Sequence, residues 1–264
     1  MTLRWDPPGP VRGRLVLLHG ELAAATTWWR VGSELAEQGW LVSAPDLPGH
    51  GTMPENGGRP LDMPTLVQGV AERLPGQVDL LVGHGLGAIV ALVLANRYVE
   101  LTKAVVLEEP LSARPEDCKA LADAAIAASA LAHADRDRYL ERVRETHPLW
   151  SHGDVQQALI GVRAADAPAL AAALRRPRPW DLPALLGTLH TPALFLVAPS
   201  GADTPDATPS SSLRGLDRLA AERRTSADRF VVLHGGHHLH RDLPDQWIKA
   251  VCGFADAVCP APHP

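Results

Sequence analysis

The chain has 264 residues, 46% of them hydrophobic, and a formal net charge of −5 in which acidic and basic residues are interleaved. This length suits one large α/β domain or a domain with an insertion, and the apolar content excludes disorder over most of the chain. An acidic chain without a basic patch is not expected to bind nucleic acid or an anionic membrane surface.

Strands and helices alternate over the first 110 residues. Apolar runs typical of buried strands occur at residues 14–20, 40–51, 78–85 and 103–110. Between them, residues 27–39 and 88–99 have helical spacing, and the second of these helices is apolar on nearly every face. Because strands that alternate with helices form βαβ units, and buried parallel strands are almost continuously apolar, the pattern predicts a parallel sheet.

The character of the chain changes over residues 111–188, which are rich in Ala, Arg and Asp at helical spacing. We interpret this stretch as a helical cap inserted into a core of residues 1–110 and 189–264. Strands followed by loops are then predicted at 192–204 and 228–238, and a closing helix at 242–258. The polar segment DTPDATPSSSLRG is expected to be mobile.

The sequence LLVGHGLGAIVAL predicts a strand, a glycine-rich turn and a buried helix. Its centre, Gly83-His84-Gly85-Leu86-Gly87, differs by one residue from the G-x-S-x-G nucleophile elbow, in which small residues let the strand and helix approach each other. Gly85 stands where the nucleophile would be. The Leu86 N–H, at the start of the helix, would be one donor to an oxyanion.

A dinucleotide site is an alternative interpretation of this loop. Residues 83–88 also match G-x-G-x-x-A, and the next strand ends in Glu108-Glu109, near the spacing of a ribose-binding acid. Such a fingerprint normally follows the first strand of its unit, whereas two strands precede this one. We therefore favour the elbow.

Four motifs in order resemble the α/β-hydrolase fold superfamily over nearly the whole chain. LVLLHGELAAATTWW resembles its oxyanion loop, APDLPGHG its D-x-x-G-H-G loop, VGHGLGAIVAL its elbow and GGHHLHRDLPDQW its catalytic-histidine loop. The resemblance implies an α/β-hydrolase fold, with a mostly parallel sheet flanked by helices and a helical cap insertion. It also implies that the Glu21 N–H, or the Leu22 N–H, is the second oxyanion donor.

The chain order of the family, nucleophile then acid then base, makes His237 the base. His238 and His240 are expected to flank it. A metal site is not expected, because no cysteine or carboxylate completes a ligand set with His234 and its neighbours. The acid has two candidates: Asp203, which we favour over the nearby Asp206, and Glu109 at the end of an earlier strand, with Glu108 beside it.

Glycine at position 85 cannot form an acyl-enzyme, but it takes a left-handed turn conformation without strain. The first hypothesis is therefore an ester or thioester hydrolase whose serine is absent in this chain, through either an engineered or a natural replacement. The second is a cofactor-independent lyase, isomerase or cyclase that uses His237 with Glu21 or Asp203. The third is a non-catalytic binding protein. Glu21 matters to this choice, because a carboxylate beside an oxyanion hole opposes anion binding unless it points away or acts as an acid or base itself.

The substrate is expected to be a small apolar molecule bound between cap and core. Trp28, Trp29, Trp150, Trp180 and His84 are the candidate pocket residues. No stretch is apolar for long enough to span a membrane, no signal peptide is apparent at MTLRWDPPGP, and the three cysteines suit free thiols. We therefore expect a soluble cytoplasmic protein that needs no cofactor. Nothing in the sequence indicates its oligomeric state.

Overall fold

A computed structural model describes residues 1–52, 60–112, 114–177, 179–200, 211–224 and 229–260. Its sheet has seven strands in the order β1-β3-β2-β4-β5-β6-β7. Their bounds are β1 Thr2–Trp5, β2 Gly13–Leu18, β3 Trp40–Pro45, β4 Val78–His84, β5 Thr102–Glu108, β6 Ala193–Val197 and β7 Arg229–Val232. All neighbours pair in parallel except β1, which runs antiparallel to β3. This is the α/β-hydrolase architecture that the motifs predicted.

Eleven α-helices are present in the described ranges. They are α1 Trp29–Glu37, α2 Met63–Ala71, α3 Leu86–Arg97, α4 Pro115–Ala134, α5 Arg136–Thr146, α6 His152–Arg163, α7 Ala167–Leu174, α8 Leu182–Thr188, α9 Gly215–Glu222, α10 Leu239–Asp242 and α11 Pro244–Val258. A 3-10 turn, Ala25–Trp28, leads into α1. None of these helices is long and apolar enough to cross a membrane.

The central strands bury side chains on both faces of the sheet. Because successive side chains of a strand point to opposite sides, Val16 and Leu18 pack with α3 on one face, while Leu15 and Leu17 pack with α1 and α11 on the other. Helix α3 is buried along nearly its whole length. This explains why its sequence has no polar face.

Among the described residues, the regular elements between β5 and β6 are all helices, α4 to α8. Tyr139, Leu140 and Val143 of α5 pack with Val155 and Leu159 of α6 in a small cluster of their own. Helices α4 and α7 instead contribute to the core on the α3 face of the sheet. Gly161 of α6 packs against Leu22 and Ala23 in the loop after β2. We call this inserted helical region the cap, and it contacts the carboxyl-terminal edge of the sheet, where parallel α/β sheets place their sites.

Four elements were not predicted from the sequence: β1, α2, α9 and the short α10. Strand β1 is only four residues long and half exposed. Helix α2 is apolar on average but has a proline, Pro64, as its second residue and Asp62 as its cap. Asp203 and Asp206 lie outside the described residues, as does most of the polar segment that was expected to be mobile. Cys118, Cys252 and Cys259 are free thiols.

Candidate active site

The elbow lies between β4 and α3. Gly85 has φ 53° and ψ −116°, the left-handed conformation expected for this turn, and its N–H donates to Glu108 O at 2.9 Å. A Cβ on Gly83 would lie 2.3 Å from Gly87 O, and one on Gly87 would lie 2.4 Å from His19 O. The flanking glycines are therefore required by backbone packing, whatever residue stands between them.

The Glu21 carboxylate fills the space above Gly85. Its Oε2 accepts from the Leu86 N–H at 3.2 Å, and its Oε1 lies 3.2 Å from His237 Nε2. A Cβ on Gly85 would lie 2.6 Å from Glu21 Oε2 and 3.5 Å from His237 Nε2. Glu21 thus occupies the volume of an elbow side chain and takes the N–H predicted to bind an oxyanion.

Glu109 lies on the other side of His237, with Oε2 3.4 Å from Nδ1. It immediately follows β5 and has a φ of 47°, which is unusual for a residue with a side chain. Its carboxylate is fully buried and accepts hydrogen bonds from Ala198 N, Ser211 Oγ, Ser212 N and Ser212 Oγ at 2.6–3.0 Å. Glu109 therefore lies at the imidazole as one of the two predicted acids, while Asp203 is outside the described residues.

The two carboxylates determine the charge of His237. Burial alone would lower the pKa of this imidazole, but the hydrogen bonds to Glu109 and Glu21 and their negative charges raise it to about 10. Burial would raise the pKa of Glu21, but the hydrogen bond and charge of His237 outweigh it and lower that pKa to about 2. At neutral pH the site therefore holds an imidazolium between carboxylates.

His84 contacts the backbone of the loop that carries His237. Its Nε2 lies 3.0 Å from His237 O, and a Cβ on Gly20 would lie 2.5 Å from its Nδ1. Burial, only partly opposed by the charge of Glu108, lowers the pKa of His84 to about 3, so the ring is neutral and its Nε2–H donates to the carbonyl. His84 therefore positions His237 and lies beneath the cavity.

A second carboxylate–histidine pair lies behind the first. Glu108 accepts from the backbone N of His240 at 3.0 Å, from its Nδ1 at 2.8 Å and from Trp247 Nε1 at 3.0 Å. His84, Glu108 and His240 have donor atoms within 4.8 Å of one another, as do His84, His237 and His238. In the first group the Glu108 oxygens already accept these three N–H groups, so hydrogen bonding accounts for the arrangement without a metal ion.

Trp150 joins the cap to the histidine loop. Its Nε1 donates to Asp242 Oδ1 at 2.7 Å, and Asp242 Oδ2 accepts from Gly236 N at 2.6 Å. The ring of His147 stacks on the Trp150 ring with 3.9 Å between centroids. The Arg241 guanidinium also lies over the Trp150 ring, 4.4 Å from its centroid. This Trp150–Asp242 bridge fixes the residue before His237.

A cavity of about 370 Å³ opens between α4, Trp180 and the core, with Glu21 and His237 in its wall. Its apolar wall includes Leu111, Leu121, Ala124, Leu174 and Trp180. Its polar wall includes Ser112, Asp117, Ser211, Ser212 and Arg214. This size suits a small molecule.

Of the predicted pocket residues only Trp180 lines this cavity, and Trp150 and His84 have the structural contacts described above. Trp28 is fully buried against Trp247 and His240 in the core, and Trp29 is 40% exposed, with its Nε1 on Asp154. Leu22 has a φ of 54° and packs between core and cap. Ser211, Ser212 and Arg214 were missed, because a polar Ser-rich segment has no pattern that indicates a cavity wall.

Residues 15–250 match the model of the Alpha/beta hydrolase family. A pimeloyl-[acyl-carrier protein] methyl ester esterase of Neisseria meningitidis serogroup B is 41% identical over 68 residues, 26% of this chain and 25% of that protein. Lipase LipV of Mycobacterium tuberculosis is 34% identical over 110 residues, 40% of each chain. The matched segments thus span a quarter to two fifths of these curated relatives.

Solved structures share the fold at lower identity. An N-formylmaleamic acid deformylase from Pseudomonas putida S16 superposes with a TM-score of 0.72 and 20% identity, covering 95% of this chain and 94% of that one. The parallel sheet, the elbow between β4 and α3 and the histidine loop before α11 all agree with the family match over most of the chain. The chain belongs to the alpha/beta hydrolase family.

Proposed function

We propose that this chain is an acid–base enzyme of its family, in which Glu21 and His237 replace the serine nucleophile. One observation carries the proposal: the Glu21 carboxylate lies above Gly85 and bridges the Leu86 N–H and His237 Nε2, each at 3.2 Å. Gly85 offers no atom that could form a covalent intermediate. An anion already in the oxyanion site also opposes the charge of a tetrahedral intermediate.

The pair suits proton transfer on a small, largely apolar carbonyl compound. The Glu21 carboxylate takes a proton from a substrate carbon or hydroxyl, and the His237 imidazolium donates a proton to the developing oxyanion or leaving group. Because Glu21 and His237 are hydrogen bonded, the proton that Glu21 gains passes directly to the neutral imidazole. That transfer restores the starting state with no net consumption of protons, as a lyase, isomerase or cyclase requires.

Glu109 and the cavity support this role. The buried Glu109 carboxylate faces Nδ1 of His237 and keeps the imidazole oriented and charged. Leu121, Leu174 and Trp180 line the cavity beside the pair, and this apolar wall strengthens the electrostatic interactions inside the cavity. These features favour proton transfer over reactions that need free water.

The test uses deuterium exchange at the α carbon of small ketones and β-keto esters in D2O, followed by NMR. We expect exchange catalysed by the wild-type protein to fall by about 10²-fold or more in Glu21→Gln and in His237→Gln. Exchange that is unchanged in Glu21→Gln would contradict the proposal. Ligand binding without any exchange, and indifferent to His237→Gln, would indicate a binding protein instead.

An ester or thioester hydrolase that lacks its serine is the second candidate. It is favoured by the partial sequence match to two esterolytic relatives and by the family-type pairing of His237 with an acid. The variants Gly85→Ser and Gly85→Ser/Glu21→Ala, assayed on p-nitrophenyl esters of several chain lengths, separate the two candidates. Esterase activity in the single variant supports the second candidate. Activity only in the double variant supports the first, because Glu21 then blocks the elbow.

A further inference from the structure

Arg214 lies in the wall of the same cavity as Glu21 and His237. Two hydrogen bonds fix its position: its backbone N donates to Ser112 Oγ at 3.1 Å, and its Nε donates to Ser211 O at 2.8 Å. The two terminal guanidinium nitrogens, Nη1 and Nη2, take no part in these two bonds. Among the described residues, the carboxylate contact recorded for this guanidinium is Asp117 Oδ1, 3.9 Å from Nη1.

Asp117 is itself held by a different arginine. Arg114 donates to it through Nε at 2.6 Å and Nη2 at 2.9 Å, a bidentate pair. Such a pair satisfies both carboxylate oxygens with good geometry. Arg214 therefore keeps positive charge and donor capacity at the cavity wall, and its side chain is 43% exposed.

We infer that Arg214 binds a carboxylate group of the substrate, which makes the substrate a small carbonyl acid. A guanidinium fork matches a carboxylate in shape and charge. The negative charge of Glu21 repels a second carboxylate, so the acid group is directed to Arg214 and the reactive carbonyl to His237. Leu121, Leu174 and Trp180 contact the apolar body between these two ends.

The placement of the substrate carbonyl at His237 rests on the proposed function. The binding of the substrate carboxylate by Arg214 is tested separately, by a binding measurement that needs no turnover. Isothermal titration compares 3-phenylpropanoate with its neutral isostere 3-phenylpropanamide at pH 7.5. We expect the wild-type protein to bind the carboxylate about tenfold or more tightly than the amide. Arg214→Gln should abolish this preference while leaving amide binding within about twofold.

Three further variants sharpen the test. Arg223→Gln changes the same charge at the exposed end of α9, outside the cavity, and should keep the preference. Arg214→Lys keeps the charge without the fork and should retain part of it. Asp117→Asn removes the competing carboxylate and should strengthen carboxylate binding about twofold or more.

The inference is overturned if wild type binds both probes equally or binds neither, or if Arg214→Gln keeps the carboxylate preference. An equal loss of both probes in Arg214→Gln and Arg214→Lys, with unchanged thermal unfolding, would indicate a role in cavity shape and would also overturn it. Glu21→Gln separates the two proposals. It should lose proton exchange but bind the carboxylate at least as tightly as wild type.

Discussion

Gly85 and Glu21 share one volume at the centre of the site. The glycine leaves the space that the Glu21 carboxylate fills, and the carboxylate lies where an elbow side chain would project. Each residue alone is a departure from the family pattern: Gly85 leaves the nucleophile missing, and Glu21 puts an acid in the oxyanion loop. Together they form a consistent arrangement, which favours a site adapted to Glu21 over one that simply lost a serine.

Because Glu21 fills the space beside Gly85, we predict that Gly85→Ala destabilises the protein. The backbone of Gly85 has φ 53°, so a side chain is strained there, and its Cβ would lie 2.6 Å from Glu21 Oε2. We expect the free energy of unfolding, measured in urea, to fall by about 1–3 kcal/mol. The loss should be smaller in a Glu21→Ala background, where the close contact is absent.

Gly187→Ala is the matched control for Gly85→Ala. Gly187 lies within α8 with nothing within 4 Å of an added Cβ, so alanine should stabilise it by about 0.5–1 kcal/mol. A Gly85→Ala variant as stable as wild type would show that this backbone is not strained.

The acid partner of His237 is the residue choice that the sequence left open. Both candidates follow apolar strands, and chain order favoured Asp203. The separation between a strand end and a histidine loop in space cannot be deduced from spacing, so only the structure shows Glu109 Oε2 at 3.4 Å from His237 Nδ1. The strand–turn–helix geometry of the elbow was predictable because it depends on a local motif, and His237 as the base stays a prediction from its motif.

A histidine titration followed by NMR distinguishes the two acids. Glu109→Gln removes a buried negative charge beside the imidazole, so we expect the pKa of His237 to fall by about 1 unit or more from its raised value near 10. Asp203→Asn should change it by much less. The reverse ranking would make Asp203 the partner.

At the scale of elements, the parallel strands were predicted well because burial on both faces makes them continuously apolar. Helix α3 was recognised for the same reason. Strand β1 was missed because four half-exposed residues have no such signal, and α9 because it follows a polar segment. The bridge from Trp150 to Asp242 spans 92 positions, so no local pattern indicates it.

The Trp150–Asp242 bridge predicts that the cap stabilises the histidine loop. Trp150→Phe keeps the ring stacked on His147 but removes the donor to a partly buried carboxylate, whose pKa burial raises. We expect unfolding free energy to fall by about 1.5–3 kcal/mol and amide exchange at Gly236 to accelerate. Trp29→Phe, which removes the Nε1 bond to Asp154 from a 40% exposed ring, should cost less. Equal losses would mean that the bridge has no special role.

At the scale of the whole molecule, burial favours the neutral form of six histidines among the described residues. Burial lowers the pKa of each of His19, His50, His84, His147, His238 and His240. In the unfolded chain these side chains titrate near pH 6.5, so below that pH the unfolded state binds more protons than the folded state. Stability therefore falls on acidification. His237 has the opposite sign: its raised pKa contributes stability that is present below about pH 6.5 and is lost as the pH rises through about 10.

This balance predicts cooperative acid unfolding that begins before most carboxylates are protonated. Each neutral histidine lowers stability by about 1.4 kcal/mol per pH unit below 6.5, so several together exhaust a typical 5–15 kcal/mol by about pH 4.5–5.5. Circular dichroism against pH, with urea titrations at each pH, measures the midpoint and the number of protons taken up.

His147→Phe keeps a ring against Trp150. It should reduce the uptake by about one proton, since the pKa of His147 is lowered to about 4 in the folded protein. His152→Phe, which changes an exposed histidine of α6, is the control. If the protein stays folded to about pH 3, or if both variants behave alike, the buried histidines do not govern the acid limit, because the proton difference they require between folded and unfolded chains would be absent.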